Sequence, residues 1–296
     1  MKSFVSKRFC YTFAVLLSIL IFQNSVYGDN EEEDIKWDEA SKEVDSLQFS
    51  QAYIDSIMIS HDITPLYTPL RTTKRLLKHL NETLVYEISW GPFKAGYVVL
   101  STDYNPKNKT IRLGAKALSS NFISAFYRMR DYIISTVCSE GLYPIVFEQH
   151  LREGRKFESD QWILYDHPEG KLYVKGRKKQ KVVDAPMFTN DYLSALYQVR
   201  NMMMKVGDKY SIDIYLNSKV YPLSFKCPEK KKISVDAGTF NCILVEPKLV
   251  GEGKTFNSKD KLEVWLSDDE QRIPVLIKCK IKFGAIRGKL IHYSFS

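Results

Sequence analysis

The sequence predicts a mainly β fold: a large curved antiparallel sheet of about a dozen strands, a half-barrel or open barrel, with two short helices against its concave face. Three observations predict it. Alternating apolar and polar residues recur from Leu84 to the C-terminus, the period of a half-buried strand. Short turn signals such as Gly91-Pro92 and Asn105-Pro106-Lys107-Asn108 separate the runs. Two closely similar segments break the series, Asn121-Phe122-Ile123-Ser124-Ala125-Phe126-Tyr127-Arg128-Met129-Arg130-Asp131 and Asp191-Tyr192-Leu193-Ser194-Ala195-Leu196-Tyr197-Gln198-Val199-Arg200-Asn201. Each opens on an Asx residue suited to a helix cap. Each then sets large apolar groups at helical spacing: Phe122, Phe126, Met129 and Ile133 in one, Tyr192, Leu196, Val199 and Met203 in the other.

The chain begins with a targeting pattern. Lys2, Lys7 and Arg8 precede the apolar stretch Phe9–Phe22, and Val26-Tyr27-Gly28 supplies the small residues at which a signal peptidase cuts. Residues 1–28 are therefore read as a signal peptide, and the mature protein as periplasmic or secreted. No cysteine follows the cut, which disfavours an acylated lipoprotein, and no later stretch is long and apolar enough to span a bilayer. Removing the three basic residues of the leader from 43 leaves 40 against 35 acidic ones, a balance of +5. That excess is mild. The basic runs Lys175–Lys181 and Lys230–Lys232 fall at strand ends and turns and carry no interleaved aromatics, so nucleic acid is not an expected partner.

Residues 29–75 form an extension that opens on the acidic run Asp29–Asp34 and is expected to be partly disordered and loosely packed. A single β domain, 76–296, follows. Its strands are read at Leu84–Trp90, Tyr97–Tyr104, Thr110–Ala117, Ile133–Cys138, Ile145–Glu153, Gln161–Tyr165 and Lys171–Lys175. After the second helical segment come Tyr210–Leu216, Leu262–Leu266, Val275–Phe283 and Leu290–Phe295. Cys138, Cys227, Cys242 and Cys279 remain in the mature chain. Four cysteines allow three disulfide connectivities, yet a chain of this size folds without staples.

Chemistry-bearing motifs are sparse. His61, His79, His150, His167 and His292 show no zinc-ligand spacing, and there is no phosphate loop, nucleophile elbow or dinucleotide fingerprint. No metal and no cofactor is expected. Asp268 and Asp269 are adjacent on a turn, where they point apart and serve as turn formers rather than facing carboxylates. Arg130 and Arg200 hold matching places in the two similar segments. They are explained either as exposed helix ends or structural ion pairs, or as an anion-contacting pair at the mouth of a covered space. The apolar residues Phe122, Phe126, Tyr192 and Leu196 are expected to line a pocket between helices and sheet, with Tyr127 and Tyr197 at its rim.

These residues also carry a resemblance. Leu84–Gly91 with Lys94-Ala95-Gly96, Asp191–Arg200 with Gly207-Asp208, Ala237–Cys242, and Trp265–Asp269 with Arg272–Val275 resemble an uncharacterised family of bacterial exported proteins, domain of unknown function 3108. The resemblance runs from about Leu76 to the end and implies no enzymatic residues. By analogy it implies a half-barrel like those of the LolA and LolB carriers, an analogy of fold and not of activity. Three functions stay open. The first is a non-enzymatic carrier or sensor of an apolar or lipid-like ligand under the helices. The second is an envelope scaffold binding another protein through its sheet, and the third a hydrolase with a dispersed site.

Overall fold

A computed structural model describes residues 69–73, 81–155, 157–177, 179–249, 261–281 and 284–296. Residues 1–28, read above as a signal peptide, and most of 29–75 lie outside the described residues. The rest is one antiparallel sheet of fifteen strands, curved and open, with two helices. Its first wing is a meander: β1 (Glu82–Trp90), β2 (Phe93–Asn105), β3 (Thr110–Ser119), β4 (Arg130–Cys138), β5 (Pro144–Glu153), β6 (Phe157–Asp166), β7 (Lys171–Gly176) and β8 (Gln180–Asp184). The second wing holds β9 (Lys209–Leu216), β10 (Lys219–Lys226), β11 (Lys230–Val235), β12 (Gly238–Leu249), β13 (Lys261–Ser267), β14 (Pro274–Ile281) and β15 (Gly284–Phe295). The wings join where β1 pairs with β15, so the first and last strands form the middle of the sheet and β8 and β9 its edges. β10 and β11 share one edge of β12, in succession.

The alternation read in the sequence is what curls this sheet around a core. Leu84, Tyr86 and Ile88 of β1, Ile133 and Val137 of β4, and Phe147 and Leu151 of β5 occupy one phase of their strands and join a single buried cluster. Tight pairing at the β2–β3 hairpin depends on Gly96. A Cβ there would lie 2.0 Å from the carbonyl oxygen of Leu118, so no side chain fits.

Helix α1 (Asn121–Tyr127) links β3 to β4, and α2 (Tyr192–Arg200) links β8 to β9 across the concave face. The two similar segments fold alike only in their first halves. α1 ends at Tyr127, so Met129 and Ile133 are core residues of a bridge and a strand, and Arg130 opens β4. Its cap is Ser120 rather than Asn121, with Ser120 Oγ accepting from the Ile123 amide at 3.3 Å. α2 does begin behind Asp191, in a capping box with Ser194. Met203 lies beyond its end and is 78% exposed.

The described part of the extension is packed, contrary to the expectation of a loose segment. The Thr73 amide donates to Glu140 O at 2.8 Å and the Leu70 amide to Tyr143 Oη at 3.0 Å. Arg71 donates to Gly141 O (2.9 Å) and to Gln198 Oε1 on α2 (2.8 Å), with its guanidinium 4.3 Å from the centre of the Phe188 ring. The chain just ahead of the domain is thus fastened to helix α2 and to the β4–β5 turn.

An apolar groove beneath helix α2

Two buried polar clusters fix α2 at its ends. At the N-terminus Asp191 Oδ1 accepts from the amides of Leu193 and Ser194, both at 2.8 Å. Its Oδ2 accepts from Ser135 Oγ (2.6 Å) and Ser194 Oγ (2.9 Å). Burial pushes the Asp191 pKa up, and these donors pull only part of it back. At the C-terminus Arg200 pairs with Glu82 of β1 and donates through Nε to Arg272 O at 3.0 Å. Burial opposes the charge on Arg200, but Glu82 outweighs it with help from Tyr197 and Tyr86, and the guanidinium pKa ends up raised. Tyr197 Oη donates to the same carboxylate, to Oε1 at 3.2 Å.

Between these anchors α2 presents Tyr192, Ala195, Leu196 and Val199 to a groove. Strand β10 adds Leu223 and Phe225, and β12 adds Val245 and Pro247. Strand β13 adds Leu262, Val264 and Leu266, and β14 adds Ile277. The groove encloses about 610 Å³ of empty volume, part of it open to solvent. One polar side-chain atom belongs to this lining, Tyr192 Oη, and it already donates to Gln149 Oε1 at 2.9 Å. Such a surface offers dispersion and burial but no unused side-chain hydrogen bond.

The residues expected to form one pocket are divided. Tyr192 and Leu196 line the groove. Phe122 does not: it is 43% exposed and stacks on Phe93, ring centres 6.1 Å apart, while Ile123 is the α1 residue turned into the core. The Phe126 side chain lies outside the described residues. Tyr127 is half-buried and donates to Glu153 Oε2 at 2.7 Å. Tyr197 is 1% exposed and so sits in the core rather than at a rim. Arg130 and Arg200 are not a pair. Arg130 belongs to the phase of β4 opposite Asp131 and Ile133, so the sheet separates it from α2, and it donates to its neighbour's carbonyl, Met129 O, at 2.7 Å. Arg200 fits the structural ion-pair alternative.

Two buried acidic features escaped the sequence reading. Glu82 shares the strand phase of Leu84, Tyr86 and Ile88, and a lone acid on an apolar phase was the signal available. Asp131 likewise shares the phase of Ile133. It is fully buried, accepts the Arg152 amide through Oδ1 at 2.9 Å, and hydrogen-bonds to Glu153. Burial first, and the Glu153 charge second, hold the Asp131 pKa well above the usual carboxylate range. Burial also raises that of Glu153. Among the described residues no three His, Cys, Asp or Glu side chains converge as a metal site would require. No disulfide joins Cys138, Cys227, Cys242 and Cys279 to one another.

Among solved structures, a β-barrel-like protein of domain of unknown function DUF1849 from Brucella abortus matches with 11% identity and a TM-score of 0.55, covering 74% of this chain and 99% of the other. At that identity the likeness concerns the fold alone. A protein with YmcC-like fold from Bacteroides fragilis is 10% identical over 76% of this chain and 100% of its own, with a TM-score of 0.35. No curated protein matches. The model of the family described as protein of unknown function (DUF3108) matches residues 85–291, most of the chain, and the protein belongs to that family.

Proposed function

We propose that this is an exported, non-enzymatic protein that holds an apolar or lipid-like ligand in the groove beneath α2. The supporting observation is the lining itself: twelve residues from one helix and four strands, apolar but for a hydroxyl already spent on Gln149. Each methylene of a chain laid there gains about 0.8 kcal/mol from leaving water. The basic and apolar pattern of residues 1–28 supports export to the periplasm or beyond. The test is organic extraction of the purified protein with mass spectrometry of the extract, joined to titration with an apolar fluorescent probe. A co-purifying apolar compound, or saturable probe binding weakened by Leu196→Trp, supports the reading. Absence of both overturns it.

A second reading, a scaffold that binds another envelope protein, is favoured by the open sheet. β8 is an edge strand of five residues with Val182 56% exposed, and its outer side pairs with no strand among those described. Such an edge can accept a further strand from a partner. Pull-down from envelope extract with Val182→Pro as the control distinguishes the two.

A further inference from the structure

Strands β4 and β5 are buried on both faces. An antiparallel strand with one wet face alternates in accessibility, as β7 does, with Leu172 and Val174 buried between half-buried Lys171, Tyr173 and Lys175. β4 and β5 break that rule. Ile133 and Phe147 face the concave core, yet Tyr132 and Ile134 of β4 and Val146 and Glu148 of β5, on the opposite phase, are also inaccessible. Leu118 of β3 and Leu164 of β6 extend this convex patch, and none of the six is more than 4% exposed. Cross-strand pairing sets Ile134 beside Glu148 and Val146 beside Leu164.

A sheet face buried to this degree lies under another layer. Neither helix supplies it. α2 meets the concave side, where Ser135 donates to Asp191 and Phe147 packs edge-on to Tyr192, and α1 turns Ile123 into the same core. β11 packs Ile233 and Val235 against Leu244 and Trp265 in the other wing.

Length, tether and charge select the occupant. Residues 74–80 are taken up in joining Thr73 to Asn81, and 250–260 join β12 to β13 in the other wing. Residues 29–68 remain. They lead directly into Leu70–Thr73, which is fastened to Glu140 and Tyr143 at the β4–β5 turn, where the convex patch begins with Val146. Residues 29–68 carry eleven acidic and two basic side chains, a balance of −9, whereas 69–296 carry 38 basic and 24 acidic ones, a balance of +14. Opposite charges of that size attract. Half-buried Lys116, Arg130 and Arg152 stand on the same convex phase as the patch. The sequence of 29–68 also sets Leu47, Ile54 and Met58 at helical spacing, with Tyr53 and Ile57 beside them, an apolar stripe in an acidic segment.

We propose that residues 29–68 dock on the convex face of β3–β6, with their apolar stripe on the patch and their acidic residues toward the cations around it. The test uses the chain 29–296 with a protease site inserted between Thr68 and Pro69 and cut after folding. The fragment so released should co-elute with the domain at low salt. It should bind about tenfold more weakly at about 0.5 M salt, where exposed charges are screened over a few ångströms. Ile134→Asp should free the fragment by placing a charge in the patch. Ile54→Asp with Met58→Asp should do the same and leaves the sheet untouched, should the first variant not fold. Zero-length cross-linking of the uncut chain should join an acidic residue of 29–68 to Lys116 or Lys175. A fragment that elutes alone at low salt, or cross-links confined to lysines of the other wing, would overturn the proposal. A fragment that separates from a domain running as a dimer would also overturn it, and would assign the convex face to a second copy of the chain.

Discussion

Arg200 and Glu82 meet through two parallel hydrogen bonds, Nη1 to Oε1 at 2.7 Å and Nη2 to Oε2 at 2.6 Å, across 118 positions of sequence. Both side chains are nearly inaccessible, 2% and 3% exposed. Removing one partner from such a pair leaves a buried charge without its counter-charge, at a cost of about 3–5 kcal/mol. Glu82→Gln and Arg200→Met should each destabilise by that amount in urea unfolding. The double variant should be markedly less destabilised than the sum of the two, since it leaves neither charge stranded. Additive losses would mean that the pair is not coupled.

The groove and the core can be separated on a single helix. Leu193 of α2 is fully buried in the main cluster, whereas Leu196 is half-buried and borders the groove. Leu193→Ala should cost about 2–5 kcal/mol, as for a packed leucine. Leu196→Ala should cost well under that, because the space beside it is already unfilled, and it should weaken apolar probe binding. Equal losses of stability at the two positions would mean that the groove is filled by its own walls.

Asp131 and Glu153 should give a pH signature. Both have pKa values raised in the folded protein, Asp131 by burial and then by Glu153, and Glu153 by burial. Above the unfolded carboxylate values near 4, the native state therefore holds more protons than the unfolded chain, and stability falls as pH rises toward the folded values. Asp131→Asn retains a donor toward Glu153 and an acceptor for the Arg152 amide but removes the titration. The stability difference between variant and wild type, followed by urea unfolding from pH 5 to 9, should shift steadily in the variant's favour. A difference that does not change with pH would contradict a raised pKa at Asp131.

How much of this was legible beforehand follows from the range of the interactions. Strands such as β1, β2 and β3 announce themselves because alternation and turn residues act over a few positions. The cap at Asp191 is equally local, and so is the pairing of Tyr192 and Leu196 on a groove-facing helix. The register of β1 against β15 is not local, nor is Glu82 against Arg200, and these decide that Tyr197 is core and not rim. The likeness of the two helical segments misled for the same reason. At Arg128 the chain leaves α1 in an extended conformation (φ −64°, ψ 131°) and enters β4, whereas α2 continues through Arg200 because Glu82 and the carbonyls of Gln271 and Arg272 receive its last residue. β8, β10, β11 and β12 were not read as strands; the first three bear lysines and are only partly buried, which blurs their alternation.

His167 provides a final prediction, of opposite sign to the carboxylates. Its Nε2 donates to Pro144 O at 2.6 Å while Nδ1 accepts from the Phe188 amide at 3.1 Å, which assigns the neutral ring with hydrogen on Nε2. The ring lies among Tyr143, Tyr165 and Phe188, and Arg71 and Asp166 are the charges that bear on it. Burial is the main cause that lowers its pKa from 6.5, the Pro144 bond works against that, and Arg71 adds to the lowering. Protonation would place a hydrogen on Nδ1 facing the Phe188 N–H, so that bond would be lost. Below about pH 6.5 the unfolded chain takes up a proton that the native state refuses, and stability falls as pH drops toward the lower folded value. Nitrogen chemical shifts of His167 should report a neutral ring with hydrogen on Nε2 at pH 6. The acid-side loss of stability should shrink in His167→Gln relative to wild type. A ring found charged at pH 6 would overturn this assignment and, with it, the hydrogen bonds that close this end of the sheet.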